Sequence, residues 1–124
     1  MTLDIPPEKM AEYREGARRR EAARQAQLDA RFEQAWVVAR QCAQILRDQF
    51  GAEKVVVFGS LTDRSRFHER SDIDLVAWDI PEADYLKALG EVMDVSPEFL
   101  VDLVRVEEAY DHIRKTVESQ GVAI

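Results

Sequence analysis

From residue 28 to residue 50 apolar side chains recur every three or four positions: Leu28, Phe32, Ala35, Trp36, Ala39, Cys42, Ala43, Leu46 and Phe50. That spacing lines one face of an α-helix and predicts a helix lying on a core. Gly51 stands where a left-handed residue would end it. Ahead of Leu28 the stripe disappears. Lys9, Arg14, Arg18, Arg19, Arg20 and Arg24 mix with Glu8, Glu12, Glu15, Glu21 and Asp29, and alanines fill the gaps. Charges of both signs at helical spacing predict a solvated helix supported by pairs three and four residues apart. Pro6 and Pro7 suit its first turn, with residues 1–7 a frayed lead-in, and Gly16 is a place to bend it. The change in pattern divides the chain into a charged helical extension, residues 1–30, and a folded domain, residues 31–124.

The second half changes period. Val55-Val56-Val57-Phe58 is an unbroken β-branched and aromatic run, as in a strand covered on both faces. Ile73-Asp74-Leu75-Val76-Ala77-Trp78 and Phe99-Leu100-Val101-Asp102-Leu103-Val104 read as two more strands. Between them Tyr85, Leu86, Leu89, Val92 and Met93 form an apolar helical stripe interrupted by Gly90, and Ser96-Pro97 makes a turn. A last helix over Glu107–Ser119 points Ala109, Ile113 and Val117 inward, Gly121 ends it, and residues 122–124 form a short edge strand. The order helix, strand, strand, helix, strand, helix predicts an α/β fold. A small mixed β-sheet is packed with helices and preceded by a long N-terminal helix.

Composition narrows the role. A chain of 124 residues with 46% apolar residues fits one domain with its own core. The net charge of −7 argues against direct nucleic-acid binding, which needs basic surface. Arg18-Arg19-Arg20 is the local exception, diluted by acidic neighbours. Cys42 is the only cysteine, so no internal disulfide forms and a reducing cytoplasm suits the chain. The start Met-Thr-Leu-Asp lacks a signal-peptide pattern, and no apolar run reaches membrane-spanning length. His68 and His112 lack metal-ligand spacing.

The chemistry concentrates between Val55 and Trp78. Residues i and i+2 of a strand share a face, so Asp72 and Asp74 present two carboxylates side by side. Two such anions repel. Either they sit at a solvated strand end, or a hard divalent cation such as Mg²⁺ joins them. The preceding strand ends in Gly59-Ser60. Glycine lets a ligand approach the backbone, and Ser60 opens a short helical turn whose free N–H groups favour phosphate. An anion cradle beside a cation site is what a nucleoside triphosphate with Mg²⁺ requires. Asp102 is alone in the middle of its apolar run. It either pairs with an arginine such as Arg105 or lies beside the first two aspartates and completes the site.

A strand, Gly59-Ser60, a loop, a strand carrying Asp72-x-Asp74 and a later strand aspartate, Asp102, resemble the nucleotidyltransferase superfamily that includes DNA polymerase beta. The short chain is similar to the minimal nucleotidyltransferases that are paired with HEPN-type toxins. The resemblance covers about residues 52–124. It implies a nucleotidyltransferase fold, and Asp72, Asp74 and Asp102 as catalytic, Mg²⁺-binding residues. It further implies AMP transfer from ATP to a hydroxyl, a tyrosine of a HEPN-type ribonuclease toxin, by an antitoxin. The alternatives are a non-catalytic antitoxin that blocks its partner by binding, or a small-molecule nucleotidyltransferase. Many members carry Arg-Gly or Lys-Gly soon after Gly-Ser; this chain has Asp63-Arg64-Ser65, and eleven residues separate Ser60 from Asp72. Gly59, Ser60 and Arg64 are then the expected nucleotide-binding residues, with Arg66 the competing cation. Only 22 residues follow Asp102, so a partner or a second copy, in a hetero-oligomer or homodimer, is expected to complete the acceptor pocket.

Overall fold

The protein, described here by a computed structural model covering residues 4–124, is built on one long helix. Residues 1–3 of the expected lead-in lie outside the described residues. Helix α1 runs from Pro7 to Phe50, 44 residues, with proline at its start. At 1.5 Å per residue it is about 66 Å long. Gly51 ends it with φ 71°, and its N–H reaches the Arg47 carbonyl while Ala52 N–H reaches Leu46. The helix continues through Gly16, where a bend was expected. Its C-terminal half buries Ala35, Val38, Ala39, Cys42, Ala43, Leu46 and Phe50, and Leu28, Phe32, Trp36 and Ile45 pack around them. Residues 7–27 contribute nothing to the core clusters among the described residues.

The sheet has four strands: β1 (Lys54–Phe58), β2 (Ile73–Trp78), β3 (Val101–Arg105) and β4 (Val122–Ala123). Their order is β3-β2-β1-β4; β1 is antiparallel to β2 and β4, and β2 is parallel to β3. The sheet is therefore mixed, as expected. Helix α2 (Tyr85–Met93) links β2 to β3, and α3 (Asp111–Gln120) links β3 to β4.

Alternation along the strands separates two faces. Val55, Val57, Ile73, Leu75, Ala77, Val101 and Leu103 share one core with α1 and α2. Val56, Phe58 and Val76 form a second, smaller core with Val117 of α3, edged by Trp78, Val104, Val106 and Ile113. The predicted α2 stripe needs correction: Ala88 and Val92 are its buried residues, while Leu86 is 79% exposed and Met93 faces partly outward. The last helix starts later than expected, because Val106–Glu108 forms a separate 3₁₀ turn and Tyr110 precedes α3. Cys42 is buried and donates to the Val92 carbonyl at 3.6 Å, and burial pushes its thiol up to about 12. It is core, joining α1 to α2.

Candidate active site

Asp74 and Asp102 lie on the face of the sheet that carries α3, and Asp72 lies near enough for its charge to act on Asp74. Asp74 and Asp102 are register partners across the parallel pair β2–β3. Asp72 lies two residues before Asp74, just ahead of β2, and so adds a third carboxylate on that side. Their sequence neighbours Ile73, Val101 and Leu103 are buried on the opposite face. This alternation orients the aspartates, since reversing a strand would bury them among valines and leucines. Asp72 and Asp102 are exposed, and Asp74 is half-buried between them.

Burial, reinforced by repulsion from Asp102 and then Asp72, pushes the Asp74 carboxyl up to about 6. No cation is among the groups that act on it. The ion pairs among the described residues are Arg24–Glu21, Arg64–Asp29 and Arg105–Glu108, none of which involves the three aspartates. Arg105, the alternative partner for Asp102, instead donates to the Ile80 carbonyl at 2.8 Å and to Glu108 at 2.7 Å. Among the described residues no three acidic, histidine or cysteine side chains stand close enough together to hold a metal ion as they are. The donor set nevertheless fits Mg²⁺: hard carboxylate oxygens, unneutralised, with an open side.

Gly59 stands directly against this cluster. It follows Phe58, itself the register partner of Asp74. Its φ is 78°, and a Cβ added to it would come within 2.5 Å of Asp74 Oδ2. The position demands glycine twice, for its backbone conformation and for the approach of the carboxylate. Residues 59–62 then form one 3₁₀ turn, closed by Thr62 Oγ1 donating to the Gly59 carbonyl at 2.8 Å. Ser60 therefore sits at the start of a short helical turn, as expected.

The loop beyond is ordered by its own polar groups. Asp63 accepts from Ser65 N–H at 3.0 Å and Ser65 Oγ at 2.6 Å, contacts that hold its carboxyl below the usual range. Buried Ser71 accepts from His68 N–H at 2.9 Å and pins the loop just before Asp72. Sequence reasoning passed over Ser71; the signal available was a serine beside the first aspartate. The two loop arginines diverge. Arg64 pairs with Asp29 of α1 and lies over the Phe32 ring at 5.0 Å. Arg66 lines a cleft of 370 Å³ with Thr62, Asp63 and Gln120, beside the turn that contains Ser60. The structure thus brings Gly59, Ser60, Asp72, Asp74 and Asp102 to one end of the sheet and turns Arg64 toward α1.

A glycine–serine turn and strand carboxylates presented together at one end of a small mixed sheet define a nucleotidyltransferase. The chain belongs to the polymerase beta nucleotidyltransferase family, whose model matches residues 40–124. The match begins inside α1 and leaves the charged arm outside. No match is found among curated protein sequences. Similar solved structures share the fold. A toxin–antitoxin structure with AMP-PNP is 21% identical with a TM-score of 0.58, covering 68% of this chain and 70% of that one. A tri-AMPylated Shewanella oneidensis HEPN toxin in complex with MNT antitoxin matches at 18% identity and TM-score 0.55, over 72% and 70%. The toxin–antitoxin MntA–HepT matches at 18% identity and TM-score 0.54, over 71% and 69%.

Proposed function

We propose that this protein is an antitoxin that transfers AMP from ATP to a hydroxyl, a tyrosine of a HEPN-type ribonuclease toxin. The observation that carries the proposal is the register pairing of Asp74 with Asp102, with Asp72 beside them and Gly59 packed against Asp74. Family membership supports nucleotidyl transfer. AMP-PNP in one similar complex and an AMPylated HEPN toxin in another support the donor and the acceptor. The change in α1 near residue 30 supports the division into an arm, 1–30, and a catalytic domain, 31–124. Among the described residues no helix is long and apolar enough to cross a membrane, and the buried thiol of Cys42 suits the cytoplasm.

Asp72, Asp74 and Asp102 would hold Mg²⁺, which when bound supplies neutralisation of phosphate charge and alignment of the attacking and leaving oxygens. The chain's own groups do the rest. Asp102, exposed at the sheet edge, accepts the proton of the incoming hydroxyl. That oxygen bonds to the α-phosphorus, the bond to the β-phosphate oxygen breaks, and pyrophosphate leaves. The N–H groups of the turn at Gly59 and Ser60 orient the triphosphate. We assign the leaving pyrophosphate to the cleft of Thr62 and Arg66, because Arg64 is engaged by α1.

The test incubates the protein with α-labelled ATP, Mg²⁺ and a HEPN partner. Label is expected on the partner and absent with Asp72→Ala or Asp74→Ala. The second reading, inhibition by binding alone, draws on the absence, among the described residues, of three acidic, histidine or cysteine side chains placed to hold a metal ion. It predicts that those variants still suppress the toxin.

A further inference from the structure

The loop between Gly59 and Asp72 does not stand alone. Its middle leans on the part of α1 that precedes the family match. Arg64 forms an ion pair with Asp29 and lies 5.0 Å over the Phe32 ring. Phe67, 4% exposed, packs edge-on against the same Phe32 ring at 5.2 Å. Further along, Glu69 faces Arg24, Gln27, Leu28 and Arg31 across a cleft of 160 Å³. One stretch of α1, between Arg24 and Phe32, therefore meets the loop at three side chains, Arg64, Phe67 and Glu69. The ends of that loop are Ser60 and Asp72, one in the phosphate turn and one in the carboxylate cluster.

We propose that Asp29 and Phe32 of α1 are positioning residues for this nucleotide loop. They hold Arg64 and Phe67 so that Ser60 and Asp72 keep the separation a triphosphate requires. Neither touches the reacting atoms. Asp29 acts through Arg64, and Phe32 acts through Arg64 and Phe67. The inference rests on the nucleotidyl-transfer reading for its consequence, but not for the tether itself. It gives the helical arm a part in catalysis.

Two readouts on the full chain test it. Hydrogen exchange of the 61–70 amides reports the tether without nucleotide, and KM for ATP reports its consequence. The Asp29–Arg64 pair is about half exposed on both sides, so its loss is expected to be worth about fivefold. Asp29→Asn should speed exchange in the loop by about fivefold. It should raise KM for ATP by up to that factor, with kcat within about twofold. Asp29→Glu, which keeps the charge, should restore both. Because the pair is on the surface, Asp29→Asn should lower the folded-to-unfolded ratio by no more than about that same fivefold, and this small fall separates the effect from misfolding. Exchange and KM both equal to wild type in Asp29→Asn would overturn the proposal. So would failure of Asp29→Glu to rescue. A far larger KM effect for Arg64→Gln than for Asp29→Asn would place Arg64 on the phosphates and also overturn it. If the wild-type chain binds no MgATP, the nucleotide reading fails, and loop exchange alone decides the tether.

Discussion

Asp74 carries the electrostatic tension of this protein. Its carboxyl titrates near 6 in the fold against an ordinary 3.8, so the folded state prefers it protonated. The contribution to stability is complete below about pH 4 and is lost as pH rises through about 6. The shift corresponds to at most ~3 kcal/mol; solvent reaches this half-buried group and screens it, leaving roughly 1–1.5 kcal/mol. Asp74→Asn should therefore raise the melting temperature of the metal-free protein at pH 7.5 by roughly 3–6 °C, and flatten its fall between pH 4 and pH 7. Under the proposed function the same variant should abolish AMP transfer, since Asp74 would no longer offer a charged oxygen to the metal. Thermal melts over pH with chelator present, paired with label transfer, check both. Gly59 shows the complementary constraint. Gly59→Ala adds a methyl at positive φ directly against Asp74 Oδ2. A cost of roughly 1–2 kcal/mol is expected from the backbone, and a loss of activity of about 100-fold from displacing the carboxylate. Denaturant titration and turnover separate the two. At this scale the sequence was informative where chemistry follows alternation: Asp-x-Asp and the isolated strand aspartate announced a shared face. Arg64 was not legible, because Asp29 lies 35 residues away and nothing local reveals such a pair.

Among the elements, α1 is two helices in energetic terms. From Ala35 to Phe50 it is fastened by a buried face; from Pro7 to Ala23 it has only its own turns and exposed pairs such as Glu21 with Arg24 at 2.9 Å. A helix without tertiary contacts is marginal in water, and exposed pairs add a few tenths of a kcal/mol each. Amides of residues 10–24 should exchange orders of magnitude faster than those of residues 38–48, as hydrogen exchange would record. Leu46→Ala, at the centre of the buried stripe, should cost about 2–5 kcal/mol by denaturant titration. The boundary near Leu28 was visible in the sequence because burial imposes a period and solvent does not. The strands were visible as β-branched and aromatic runs, with β1 apolar on both faces. Less was visible in α2, where five apolar residues at helical spacing suggested one stripe. Only Ala88 and Val92 are fully buried, because a short helix on a sheet edge has room for few contacts. The parallel pairing of β2 with β3, which places Asp102 beside Asp74, depends on the α2 crossover rather than on either strand's residues.

Across the whole molecule, net charge and site charge point the same way. The chain carries −7, and three of its carboxylates gather at one end of the sheet with no protein cation among the described residues to pair them. Under the proposed function the acceptor belongs to a ribonuclease, and a protein that grips an RNA backbone does so with positive surface. Encounter between the two is then steered by opposite fields, with the acidic end of this chain leading. Such steering raises the association rate and is screened by salt over a distance of about 8–10 Å at ordinary ionic strength. Raising salt from about 50 mM to about 300 mM should slow association with the HEPN partner by roughly tenfold while changing dissociation little. Stopped-flow mixing of the two proteins measures this directly. The triple variant Asp72→Asn, Asp74→Asn, Asp102→Asn sharpens the test. If the carboxylate cluster leads the approach, most of the salt dependence disappears with it. An association rate that ignores both salt and these substitutions would mean that the partner docks away from the carboxylate cluster.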